Sequence, residues 1–330
     1  MNDIVTNDQG KYKICLITGN DPCHKNLSVI ENIIGQDEAR RKLCFFIESH
    51  STDVPLPTML FNGSKGLGKS HTASKASEAM GRELIEVNCE SIQTEQEFIE
   101  GVLFDQVAGS KSKTILLDEA HRLTKAVANV LLTFLNPNIT NRNFYNYNGW
   151  DIEYDFSKIN IIFATTDAHR MIGPLLNRCE DIYFHLYSDD ELFKIIQLYL
   201  PTIRIRCGKN ELAAACRGRA RNAFKLSQHI LRYCSMNGTR VFNAKGWKAI
   251  KDVFAIYPLG LNSQEIILLQ LLKNYSPLSC RNIAVRMGVN EQNVEGELEI
   301  RVRELGLIEN TSRGRLLTPE GLKYIERIQS

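Results

Sequence analysis

Apolar residues fall along this chain in two rhythms, and their order already outlines a fold. Asp37–Ser49 repeats apolar positions at helical spacing, and Pro55-Leu56-Pro57 then breaks the chain. A strand-sized run, Thr58–Asn62, follows and leads through a glycine-rich turn into a helix from Lys69 to about Met80. Strand Leu84–Val87, a helix near Thr94–Val102, strand Thr114–Leu117 and a helix at Lys125–Leu135, stopped before Pro137, continue the alternation. Strand and helix in turn predict a parallel sheet with crossover helices.

Residues 138–160 break that rhythm. They are rich in Asn, Tyr and Phe, and Asn148-Gly149 at their middle predicts a β-hairpin inserted at about 139–158. Ile161–Ala164 is a further buried strand. Residues 189–254 read as four helices, and Tyr257-Pro258-Leu259-Gly260 as a linker. Beyond it, helices at Leu278–Met287 and Glu291–Leu305 flank Gly288-Val289-Asn290, a helix-turn-helix signature. Thr311–Thr318 then forms a hairpin with Arg313 and Arg315 at its tip, a basic wing suited to phosphate contact. The second helix carries Glu291, Glu295, Glu297 and Glu299, which would repel phosphates, so the wing is expected to make the contact with little base readout. At the other end, residues 1–27 are polar and weakly patterned, with a strand expected at Tyr12–Thr18 and a turn at Gly19–Pro22.

Composition narrows the class. With 330 residues, 43% hydrophobic and 24% charged, the chain reads as two or three globular domains. No apolar run approaches the roughly 18 residues of a membrane helix, and Met1-Asn2-Asp3-Ile4-Val5 lacks the basic head of a secretory signal. A soluble, cytoplasmic protein with no membrane partner is the expectation. The nine cysteines are odd in number and never spaced C-x-x-C, which predicts reduced thiols and no zinc site. Net charge is only +2, yet residues 187–257 hold 13 basic against 5 acidic side chains, while residues 1–186 hold 18 against 24. The basic excess therefore sits in one short segment, which either meets phosphates or forms a solvated face.

Two motifs carry chemistry. Gly63-Ser64-Lys65-Gly66-Leu67-Gly68-Lys69-Ser70 fits G-x-x-x-x-G-K-[ST] between a strand and a helix. The glycines let backbone N–H groups wrap phosphates, with Gly63, Gly66 and Gly68 as the turning points. Lys69 would reach the β- and γ-phosphates of ATP, and the Ser70 hydroxyl would bind Mg²⁺. Thr114-Ile115-Leu116-Leu117-Asp118-Glu119 is an apolar strand ending in two acids. Asp118 would hold the magnesium through water, and Glu119 would polarise the water that attacks the γ-phosphate. ATP hydrolysis follows from the pair.

The residues around these motifs resemble the AAA+ ATPases. Ile33-Ile34-Gly35-Gln36 is similar to a box near the adenine, which implies nucleotide contact at Ile34. Thr165-Thr166 resembles sensor 1, with Thr166 feeling the γ-phosphate. Arg178, in Pro174-Leu175-Leu176-Asn177-Arg178, resembles the arginine finger, and Arg221, in Arg217-Gly218-Arg219-Ala220-Arg221, resembles sensor 2. A finger implies a ring or arc of subunits. Within the superfamily, residues from about Leu27 to Ile328 resemble the RuvB family of Holliday junction motors. Asp118-Glu119-Ala120-His121-Arg122-Leu123, the twelve-residue step from Thr166 to Arg178, and Gly306–Thr318 carry that likeness.

The resemblance implies an α/β AAA+ phosphate-loop domain at 28–186, a small helical lid at 187–256 and a winged-helix DNA-binding domain at 257–330, after an N-terminal extension at 1–27. It also implies a hexameric homo-oligomer that drives branch migration on double-stranded or Holliday-junction DNA, a lever hinged near His185–Asp189, and a RuvA-like partner at the 139–158 hairpin. The chain departs from the family in places. Gly63-Ser64-Lys65-Gly66 replaces G-P-P-G, and Asn177-Arg178-Cys179 resembles the S-R-C of clamp loaders. A clamp-loader-like switch that assembles a replication complex, or a winged-helix initiator, are the alternatives.

Overall fold

The apolar runs assemble into a five-stranded, all-parallel sheet. Its order is Glu83–Asn88, Lys113–Asp118, Ile159–Thr165, Met59–Asn62, Glu180–Tyr183. A computed structural model describes residues 4–6, 12–17, 25–51, 53–109, 111–137 and 140–329. The central strands are buried on both faces, which is why Ile159–Thr165 reads as continuous rather than alternating apolar sequence. Helices Asp37–Ser49, Lys69–Ala79 and Lys125–Phe134 stand where the periodicity puts them. The helix expected near Thr94–Val102 runs over Glu97–Val107 with wide, π-type turns. Strand Glu180–Tyr183 has no counterpart in the apolar pattern. It opens with two acids, Glu180 and Asp181, and only Ile182 is buried.

The hairpin forms as predicted, from Arg142–Tyr147 and Trp150–Asp155, with Asn148 and Gly149 both at positive φ (51° and 83°). It does not stand free. Tyr12–Cys15 pairs in parallel with Trp150–Asp155, and Ile4–Thr6 pairs with Tyr12–Cys15, giving a four-stranded sheet. Ile152 and Tyr154 are buried beneath it, the tyrosine ring against Phe134, and Tyr145 and Tyr147 donate hydrogen bonds to Glu95 (2.8 Å) and Glu100 (2.7 Å). The N-terminal extension is thus partly hairpin sheet, while the turn expected at Gly19–Pro22 lies outside the described residues.

The chain divides into two compact units, Met1–Tyr187 and Ser188–Ser330. The second begins with a capping box, Ser188 and Glu191, that opens helix Asp189–Leu198. Helices Lys209–Cys216, Ala220–Met236 and Ala244–Phe254 complete the four expected, and two short strands that the sequence does not announce, Arg204–Arg206 and Val241–Asn243, pair in parallel between them. A second core, including Leu268, Leu269, Leu272, Ile283 and Val302, then organises helices Ser263–Tyr275, Cys280–Met287 and Glu299–Glu304, the hairpin Ile308–Thr311/Gly314–Leu317 and helix Pro319–Gln329.

The expected linker at Tyr257–Gly260 is instead a packed joint. Gly260 (φ 74°) lies so close to helix Lys209–Cys216 that a Cβ would fall 2.2 Å from the Ala214 carbonyl oxygen. Arg217 locks the joint. Its Nε donates to the Gly260 carbonyl (2.8 Å), and its two Nη groups donate to Glu265 (3.1 and 2.6 Å), which is 1% exposed. A bidentate guanidinium–carboxylate pair of this kind fixes geometry as well as charge.

Candidate functional site

The phosphate loop leaves strand Met59–Asn62 and enters helix Lys69–Ala79, so its amides converge on the positive end of the helix. Gly63 (φ 154°) is forced by close approach, since a Cβ there would sit 2.6 Å from the Phe184 carbonyl oxygen. Lys69 is 8% exposed and curls over its own loop, donating to the carbonyls of Gly63 (2.6 Å) and Ser64 (3.1 Å). Neutral carbonyls hold an ammonium weakly enough for anionic oxygens to displace them.

Beside the loop, Asp118 ends the neighbouring strand but one, and its Oδ1 accepts from the Glu119 backbone N–H (2.9 Å). Glu119 takes a left-handed backbone (φ 53°) that turns it off the strand axis. One Glu119 oxygen lies 3.3 Å from Lys65, and the other is buried, 3.6 Å from His121 Nδ1 and without a hydrogen bond among the described residues. A buried carboxylate oxygen left unsatisfied is costly and marks a place where another donor belongs. His121 Nδ1 also lies 2.9 Å from the hydroxyl of Thr165, which is fully buried and accepts from Asp167 N–H (3.0 Å). Burial holds the His121 imidazole below its ordinary pKa, which favours the neutral ring. Thr166 follows, half-buried, at the end of the strand between the two acids' strand and the phosphate loop. The sequence motifs give His121 and Thr165 no separate role, although D-E-x-H places His121 within reach.

Arg178 stands at the opposite end of the sheet. Glu180 pairs with Met59 while Gly63 follows Asn62, so at least four residues, about 13 Å of strand, separate the two. Its guanidinium donates to Asn136 (3.1 Å), beside a cavity of about 390 Å³ lined by Pro55, Leu135, Pro137, Phe156, Cys179 and Glu180. Ile34 is half-buried beside Gly35-Gln36. Gln36 clasps the His185 backbone from both sides, donating to its carbonyl (2.7 Å) and accepting from its N–H (3.0 Å). Two residues on, buried Tyr187 donates its hydroxyl to the Leu67 carbonyl of the phosphate loop (3.0 Å). No sequence motif points to Tyr187, although the expected hinge spans this segment.

In the second unit Arg221 is exposed in the first turn of helix Ala220–Met236. Arg313 is exposed at the turn of the wing. Arg315, expected beside it as a DNA contact, is turned inward. Its Nε and Nη2 donate to Glu299 and Glu295, both at 2.8 Å, and Glu299 is fully buried. The ion pairs hold the hairpin onto the second helix, consume the charge, and remove Glu299 from the acidic face expected to repel phosphates.

Comparison with known proteins agrees with this layout. Residues 59–186 match the ATPase family associated with various cellular activities (AAA), and residues 258–326 match the RuvB C-terminal winged helix domain. The class is therefore that of AAA ATPases with a C-terminal winged helix. The Holliday junction branch migration complex subunit RuvB of Campylobacter hominis is 26% identical over 310 residues, 89% of each chain. That of Prochlorococcus marinus is 27% identical over 325 residues, 94% of this chain and 91% of its own. Among solved structures, the Thermotoga maritima RuvB Holliday junction branch migration motor aligns with TM-score 0.71 at 21% identity, over 89% of this chain and 95% of that one. These likenesses together support a RuvB-type ATPase.

Proposed function

We propose that this chain is the ATP-driven motor of Holliday junction branch migration, working as a ring of identical subunits on double-stranded DNA. The observation that carries this reading is the union of a phosphate-loop ATPase site with a RuvB winged helix in one chain. That winged helix also weighs against the clamp-loader alternative.

Loop amides and Lys69 bind the phosphates, Lys69 exchanging two carbonyls for phosphate oxygens. Glu119 takes the proton of the attacking water, its buried free oxygen aimed beside His121. Thr166 and Thr165 read the γ-phosphate end of the site, and Ile34 borders the adenine. The Ser70 hydroxyl and the Asp118 carboxylate are hard oxygen donors that fit Mg²⁺. Bound there, the ion would neutralise charge on the phosphates.

Arg178 is too far along the sheet to serve its own phosphate loop, so it completes the site of a neighbouring subunit, while Arg221 serves as sensor 2. The Arg217–Glu265 joint makes residues 188–330 a stiff lever whose winged helix meets DNA at Arg313. A RuvA-like partner docks on the outer face of the hairpin, where Phe144 is 47% exposed.

The test is complementation in trans. Arg178→Ala should bind ATP but hydrolyse it ~10³-fold more slowly, and Lys69→Ala should be inactive for lack of phosphate binding. Mixed, the two should recover hydrolysis and junction movement at interfaces where an intact loop meets an intact finger. Wild-type turnover by Arg178→Ala alone would remove the shared site and with it the ring.

A further inference from the structure

Residues 187–257 hold an excess of eight positive charges, and the structure shows how unevenly they are used. In the second unit, several cations find a carboxylate: Lys209 with Asp190, Lys251 with Glu211, Arg217 with Glu265, Arg301 with Glu304, Arg315 with Glu295 and Glu299. Five others, all exposed and gathered at one short strand pair and the helix that follows it, have no carboxylate partner among the described residues. Arg204 and Arg206 lie on the short strand Arg204–Arg206, exposed on either side of half-buried Ile205. Alternate residues of a strand share a face, so their Cα atoms are about 7 Å apart on one side. Arg240 is held against Arg204 because its carbonyl accepts the Arg204 N–H (2.8 Å). At the strand's other end Arg206 pairs with Asn243, which caps the helix bearing exposed Lys245 and, a turn later, exposed Lys248. Asp252, one turn beyond, is the carboxylate nearest along that helix face, and it forms no ion pair among the described residues.

We infer that the strip of Arg204, Arg206, Arg240, Lys245 and Lys248 binds the phosphate backbone of duplex DNA, as a second grip besides the wing. The inference rests on the DNA-motor reading above. Each strand of a duplex offers a phosphate about every 3.4 Å of axis, so cations in a row on a paired strand and a helix face meet successive phosphates without base readout. Three of the five are arginines, which suit phosphate recognition by planar, forked donors. The wing itself supplies less charge than its sequence promises, because Arg315 is spent on Glu295 and Glu299. The packing that ties Gly260 and Glu265 to Arg217 joins the helices that carry this cluster to the winged helix within one compact unit.

Full-length protein is titrated into a fluorescein-labelled blunt duplex over a range of salt concentrations. Arg204→Ala/Arg206→Ala/Arg240→Ala should weaken binding at least ~10-fold and flatten the salt dependence by about 0.9 of slope for each phosphate no longer neutralised. DNA-free ATP hydrolysis and the oligomeric state, read by mass photometry, should match wild type. The same three positions changed to lysine should recover most of the affinity. If wild type binds the duplex and the triple alanine variant binds with unchanged affinity and slope, the strip is not a DNA site, and the motor reading stands. If the variant changes its oligomeric state without DNA, the strip meets another copy of the chain and the inference falls. If wild type binds neither duplex nor junction, the motor reading fails and this inference with it.

Discussion

Lys69 and Arg315 are both cations beside a glycine turn, and the sequence pattern aims both at phosphate, yet the structure treats them oppositely. Lys69 donates to two neutral carbonyls of its own loop, contacts that an anion can replace. Arg315 is held by two carboxylates, one of them fully buried, and no phosphate can displace them without stranding Glu299. The difference lies in the partner, not in the cation. A basic residue is available to a ligand when its resting contacts are uncharged or absent, and it is architecture when they are carboxylates.

Three substitutions press on that contrast, and the largest effect belongs to Lys69. Lys69→Ala should reduce ATP hydrolysis ~10³-fold, as expected for removing a charge aimed at the reacting phosphates. Its stability should fall by at most about 2 kcal/mol, because the two carbonyl hydrogen bonds it gives up are worth about 1 kcal/mol each. A larger drop would show that the lysine is structural after all.

Arg315→Ala should do the reverse. Leaving Glu299 buried without its partner should cost about 3–5 kcal/mol, read by denaturant unfolding of the full chain, with the weakened transition belonging to Ser188–Ser330. Arg313→Ala, two residues away and exposed, should leave stability within about 0.5 kcal/mol and reduce the salt slope of DNA binding by about 0.9. Equal effects of the two changes on stability would erase the distinction drawn between them.

A fourth substitution, Tyr187→Phe, tests what braces the phosphate loop. It removes one neutral hydrogen bond to the Leu67 carbonyl, worth about 1 kcal/mol. Because Tyr187 closes the first unit immediately before Ser188, the change should raise the KM for ATP several-fold while kcat without DNA changes less. A variant whose KM equals that of wild type would show that the phosphate loop is set without it.

Much of the ATP site is legible in sequence because its chemistry is local. A strand, a glycine turn and a helix start lie within twelve residues, and Asp118-Glu119 closes an apolar run that could only be a buried strand. The hairpin is legible for the same reason, since Asn148-Gly149 sets the turn by backbone preference alone. Less legible are contacts closed by residues far apart in sequence. Nothing near Tyr187 points to Leu67, 120 residues earlier, and nothing in Tyr257–Gly260 shows that it packs on Ala214. Edge strand Glu180–Tyr183 also escapes, because one buried residue in four makes no pattern.

By itself the sequence determined most of the element types, the phosphate loop, the paired acids and the location of the basic excess, since each follows from neighbours along the chain. Tertiary structure decided which charges are free. It spent Arg217 on Glu265 and Arg315 on Glu295 and Glu299, left Arg204, Arg206 and Arg240 without carboxylates among the described residues, and carried Arg178 to the far end of the sheet from Gly63. The physical reason is that Coulomb partners are chosen by distance in space, a few ångströms across packed elements, and sequence separation places no bound on that distance.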